Sequence, residues 1–189
     1  MNDAVTHFEP QWTFGAVPEG VDPVSLALET GVSDDDATAM IEAAWVQVET
    51  FTGRTYRDMT SGRVIIKVSS PITWVWPRYP FPEELTVECL ANGTWMPWQE
   101  TYIAGLGMIE LEPGSLYRLS HTTTTPGATV GPHVRQAVWN LAAYQIIQNP
   151  LRREFRSQSA GDSSLTREAL MGVMYGSGAG ALLAGEVRI

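Results

Sequence analysis

With 189 residues, a formal net charge of −9 and one cysteine, Cys89, the chain can bury a core without disulfide or metal staples and cannot close an intrachain bridge. No stretch approaches the roughly 20 consecutive apolar residues of a membrane span. MNDAVTHFEP lacks the basic and apolar runs of a leader, so the chain is expected to be soluble, to contact no membrane and to stay in the cell that makes it.

Residues 1–21 scatter Gly15, Pro18 and Gly20 among Phe8, Trp12 and Phe14 without sustained periodicity, and read as an extended N-terminal arm whose aromatics need a surface. Asp22-Pro23 supplies a cap and a first-turn proline for a short helix over 23–30, closed by Gly31. Ser33 then caps a helix over 34–52 that stops at Gly53. Its first turn holds Asp34, Asp35 and Asp36, which complement the helix dipole and, pointing about 100° apart, cannot converge on one ion. Ala37, Met40, Ile41, Ala44, Val48 and Phe51 form its core stripe. Trp45 lies on the flank, and Val46 and Ala43 lie beyond a polar strip of Thr38, Glu42 and Glu49.

From 63 to 120 the period changes to two. VIIKV, ITWVW and LTVEC alternate as strands, Asn92-Gly93 marks a tight hairpin, and Pro113-Gly114 can join MIELE to SLYRLS. Prolines at 71, 77, 80 and 82 confine the second strand to an edge or a short piece. A polar loop leads to a helix over 132–148, started by Pro132 and stopped at Asn149-Pro150. Val134, Ala137, Val138, Leu141 and Tyr144 make its core stripe, while Trp139, Ala143 and Ile146, with Arg135 beside them, make a second apolar stripe. A helix apolar on both faces in so small a chain calls for a second surface to cover it. After the basic LRREFR run, a helix is expected over 165–175, then a flexible tail over 176–189.

The fold class expected from this order is α+β: a helical core of two long helices plus shorter ones, with a small antiparallel sheet inserted between the long helices. The domains are the arm 1–21, a main domain 22–175 and the tail 176–189.

Catalysis is not expected. His7, His121 and His133 fall in an arm, a loop and a helix start, with no metal-ligand spacing and no nucleophile paired with a base. GSGAG follows a helix rather than a strand and lacks the Lys-Ser/Thr of a phosphate loop, so no cofactor is expected and a hinge is the better reading. The first 53 residues contain ten acids and no Lys or Arg, which argues against wrapping nucleic acid but leaves a surface past which DNA could slide. Eleven of the twelve bases are Arg, the cation favoured at protein interfaces. Trp74, Trp76, Trp95 and Trp98 could form a stacking platform for sugars or bases, yet residues 74–98 offer only Arg78 as a cation.

The helix end VETFTGRTY, the SSPITWV strand, the NGTW hairpin, GPHVRQAVWNLAAYQI and the terminal LLAGEVRI follow one another in an order that resembles the head-tail connector (adaptor) proteins of long-tailed bacteriophages and gene transfer agents. The most telling pieces are Thr52-Gly53-Arg54, the Pro132-x-x-x-Gln136-Ala137 helix opening, and the Leu182-Leu183-x-x-x-x-Arg188 stub. The resemblance covers residues 22–189 and leaves the arm out. It implies a homo-oligomeric ring of about twelve copies in the neck of a virion or phage-like particle, assembled in the bacterial cytoplasm, with no enzyme activity. The expected partners are the portal, the stopper or tail-completion proteins, and DNA passing without sequence-specific binding. Trp45, Val46, Arg135, Trp139, Ala143 and Ile146 are then expected at subunit interfaces, and Leu182, Leu183, Val187, Arg188 and Ile189 on the portal. Phe8, Trp12, Phe14, Arg152, Arg153 and Arg156 are candidates for further partner contacts. The alternatives are another neck component (stopper or tail-completion protein) and a Trp-rich binding module.

Overall fold

The computed structural model describes residues 4–148 and 170–187. The chain divides into two compact units: a β unit, Met1–Ala16 with Thr55–Ala128, and a helical unit, Val17–Arg54 with Thr129–Ile189.

The β unit contains strands β1 (Val5–Phe14), β2 (Met59–Val68), β3 (Ile72–Val75), β4 (Thr86–Ala91), β5 (Thr94–Pro97), β6 (Met108–Leu111) and β7 (Leu116–His121). Five of them form an antiparallel sheet in the order β1-β2-β7-β4-β5, while β3 and β6 pair as a second, two-stranded sheet. Alternation puts Val64, Ile66 and Val68 of β2, Val87 of β4, and Tyr117 and Leu119 of β7 into a core shared with Trp74 of β3 and Ile109 and Leu111 of β6. Two sheets sandwiching one apolar layer let each cover the other's inner face.

Asn92 and Gly93 both take positive φ, as a two-residue turn between β4 and β5 requires. Pro113-Gly114, by contrast, links strands of different sheets, since β6 pairs with β3 and β7 pairs with β2 and β4. The buried Tyr117 hydroxyl pins this crossing, donating to the Glu112 carbonyl (2.8 Å) and accepting from the Glu112 N–H (3.1 Å). Its phenol pKa is raised, chiefly by burial.

The helical unit contains α1 (Pro23–Thr30), α2 (Asp34–Thr52), α3 (Pro132–Ile147), α4 (Leu170–Gly176) and α5 (Ala179–Leu183). Asp22 caps α1 by accepting from the Val24 and Ser25 N–H groups, and hydrogen bonding led by the Ser25 side chain lowers its pKa. Ser33 caps α2 by accepting from the Asp36 N–H (3.1 Å), and Gly31 and Gly53 end α1 and α2 in the left-handed conformation. Helices α2 and α3 pack side by side, and a reciprocal amide pair between Gln47 and Gln145 (2.7 and 3.3 Å) fixes their register.

The expected fold class is overturned. The sheet is not a small insertion carried on a helical core: it is a β-sandwich-like assembly of five strands plus two, with its own apolar core, and the helices of the other unit are few and mostly short. The physical reason lies in the segment expected to be an extended arm outside the main domain. Val5–Phe14 adds an edge strand to β2 across almost its whole length, with irregular register between Val5 and His7 and between Thr13 and Phe14. Phe8, Trp12 and Phe14 thereby pack on the β core.

Candidate assembly surfaces

On α1 the buried residues are Leu26, Ala27 and Thr30, which turns Val24 and Leu28, one helical turn apart, outward at 58% and 86% exposure. On α2, Trp45 is fully buried while the adjacent Val46 is 48% exposed. Thus Trp45 widens the core stripe and Val46 alone of that pair is open to a neighbour. Glu49, expected on the polar strip, is buried. On α3, Ile146 is buried and Trp139 and Ala143 are half-buried, leaving Ile147 exposed. Arg135 is exposed and lies across Gly20, where an added Cβ would come within 2.7 Å of its Nε. With Trp139, it lines a shallow groove of about 210 Å³.

The C-terminal segment is folded onto the helical unit. Leu183 is fully buried, Leu182 half-buried and Val187 exposed, with α5 packed on α3 and α4. Arg188, Ile189, Arg152, Arg153 and Arg156 lie outside the described residues, as do residues 165–169 of the expected last helix. Glu186 anchors the segment. Its backbone carbonyl accepts from Arg54 Nε (2.7 Å), its carboxylate lies 3.3 Å from the same nitrogen, and its other oxygen is 2.9 Å from His133 Nε2. Arg54 follows the C-terminus of α2 and His133 sits in the first turn of α3, so the carboxylate also meets the positive end of a helix dipole.

Sequence reasoning missed this cluster, because its members stand 53 to 132 residues apart. A signal was present: the Gly53-capped helix end before Arg54, the Pro132 helix opening before His133 and the LLAGEVRI stub holding Glu186 are each recognisable in the sequence, and the fold brings them to one point.

In the β unit, Trp12 packs edge-on against Trp76 (centroids 5.2 Å apart), and the Arg57 and Arg78 guanidiniums lie over the Phe14 ring at 4.4 and 5.5 Å. The surface these aromatics need is thus the sheet itself. None of the seven tryptophans is among the exposed side chains; Trp95 is covered by Arg118, which also pairs with Glu88 (2.6 Å) across β4 and β7. Trp74 and Trp76 are buried and Trp95 and Trp98 are partly covered, which leaves little open ring face for stacking. A cavity of about 430 Å³ lies between segments 80–84 and 123–127, lined by prolines, Phe81, Glu83, Glu84 and threonines. No histidine or cysteine lines it to serve as base or nucleophile.

Buried beside Trp76 (centroids 5.5 Å apart) is His121. Its Nδ1 is 3.0 Å from the Thr123 carbonyl and must donate there, which makes Nε2 the bare nitrogen of the neutral ring; no donor reaches it. Burial lowers this histidine's pKa. Among the described residues no three His, Cys, Asp or Glu side chains are placed to hold a metal ion, and no helix is long and apolar enough to cross a membrane.

No family model matches this chain, and no curated protein or solved structure matches it.

Proposed function

We propose that this chain is a structural head-tail connector, one subunit of an oligomeric ring seated between the portal and the tail of a phage or phage-like particle. The observation that carries the reading is the meeting of Thr52-Gly53-Arg54, the Pro132 helix opening and the C-terminal stub around Glu186. Landmarks kept in order along a sequence acquire a common purpose when they build one structural joint.

Two features suit the assembly. Val24 and Leu28 on α1, with Val46 on α2, give the helical unit apolar area left uncovered in the single subunit, as a head-to-tail ring contact needs. The excess of acids, ten without a base in the first 53 residues, keeps a lumen from gripping a polyanion that must slide through it.

The test is to mix the purified chain with the portal protein of the same particle and image the product. A ring of this chain on the portal is expected, and the double substitution Val24→Ser, Leu28→Ser should leave the subunit folded by circular dichroism while abolishing the ring. A portal that stays bare with the unsubstituted chain overturns the proposal.

A further inference from the structure

The C-terminal segment packs on α3 and α4, but it brings little large apolar side chain to that contact. Helix α5 has five residues, too few to be stable alone, and Ala179, Gly180 and Ala181 give it little side chain to bury. Leu183 is its one large, fully buried anchor. Gly178, in the left-handed conformation, supplies a hinge immediately before it. What remains is the cluster at Glu186, whose carboxylate, like its partners Arg54 and His133, is still partly open to solvent. A segment with one apolar anchor and a solvent-reached ion cluster opens before the helices it rests on.

We propose that Glu186 is a latch. It holds α5 on the helical unit in the free subunit, and its release from Arg54 and His133 frees the segment to bind a partner that offers an apolar groove to Leu182 and Leu183 and a cation to Glu186. The partner being the portal rests on the connector reading; the latch itself does not. The arrangement keeps the apolar stub covered until a docking site competes for both contacts at once, which prevents premature association between free subunits.

Hydrogen exchange on the full-length chain tests the latch. Glu186→Gln keeps the shape and removes the charge, so exchange at the amides of residues 182–186 should rise about ten- to a hundredfold, the worth of a charge-assisted hydrogen bond. The amides of α2 and α3 should keep their protection. Unchanged exchange in 182–186, or an equal rise throughout α2 and α3, overturns the latch. A second variant, His133→Ala, opens the cluster while retaining Glu186 for the partner, and should associate with the portal faster than the unsubstituted chain. An unchanged or slower association overturns the latch's role in docking. Failure of the unsubstituted chain to associate at all overturns the connector reading, and the exchange measurement then decides the latch alone.

Discussion

Gly62 sits at the centre of the β unit, on β2, opposite Trp12 of β1 and His121 of β7. Both neighbouring strands lay a ring over the place where its side chain would be. A Cβ there would lie 2.7 Å from His121 Nε2 and 3.0 Å from Trp12 Cε3. The Gly62→Ala change sets two effects against each other. Restricting the unfolded chain favours the alanine by about 0.4–1 kcal/mol. Overpacking costs about 1–3 kcal/mol, and its size depends on whether the rings can move. Trp12 is half-buried and can give; His121 is buried and tied to the Thr123 carbonyl, so it cannot swing away freely. The net expectation is a loss of about 1–2 kcal/mol, which for a unit of this size lowers the melting temperature by roughly 4–16 °C. Urea unfolding followed by tryptophan fluorescence reads it, since five of the seven tryptophans belong to the β unit. A double-mutant cycle with His121→Ala locates the cause, because removing the ring should restore part of the loss. An alanine variant as stable as the parent, or a cycle with strictly additive changes, would refute the reasoning.

Two further outcomes follow from the same unit. Burial holds His121 below its ordinary value of 6.5, so as the pH falls through that value the unfolded chain takes up a proton before the folded one, and the β unit should lose stability until the lowered folded pKa has been passed. Urea midpoints at pH 7.5 and 5 should diverge more for the parent than for His121→Gln, and parallel shifts would count against it. Deleting residues 1–14 strips β1 from β2 and uncovers Trp76, so the truncated chain should aggregate, as read by light scattering, whereas an arm independent of the sheet would leave it monodisperse.

Local chemistry made the helix ends readable. Asp22-Pro23, Ser33, Gly31 and Gly53 act within a few residues, and the structure places α1 and α2 at Pro23–Thr30 and Asp34–Thr52. Alternation likewise marked the inward side of β2 to β4. Strand partners were not readable, because a period of two says which side a residue faces and nothing about its neighbour. The sequence from Val5 to Phe14 hid its strand twice over: Pro10 interrupts it, tolerable on an edge, and its partner β2 begins 45 residues beyond its end. Helical-wheel reasoning misplaced Trp45 and Ile146 for another reason. The wheel gives the stripes but not what covers them: α2 packs on α1 and α3, and α3 on α1, α2, α4 and α5, so the flank of α2 and part of the second stripe of α3 are covered within the subunit.

That wider burial changes what the helical unit has left to offer a neighbour, and it bears on how the unit holds together. The chain leaves this unit after Arg54 and re-enters it at Thr129, just before α3, so the whole of Thr55–Ala128 is an excursion whose two ends must be kept close. Closing a loop that long costs entropy that local contacts have to offset. The Gln47–Gln145 pair ties α2 to α3 one to two turns from the exit, and Glu186 touches Arg54 at the exit and His133 near the entrance. Residue 186 therefore contacts the last residue before the excursion and, after the chain's return, the first turn of α3. Withdrawing the C-terminal segment removes these contacts but leaves the packing of α2 on α3, the Gln47–Gln145 pair and the bond from the Ala128 N–H to the Thr55 carbonyl (2.8 Å) that joins the two ends of the excursion, so α2 and α3 stay together when the segment is released.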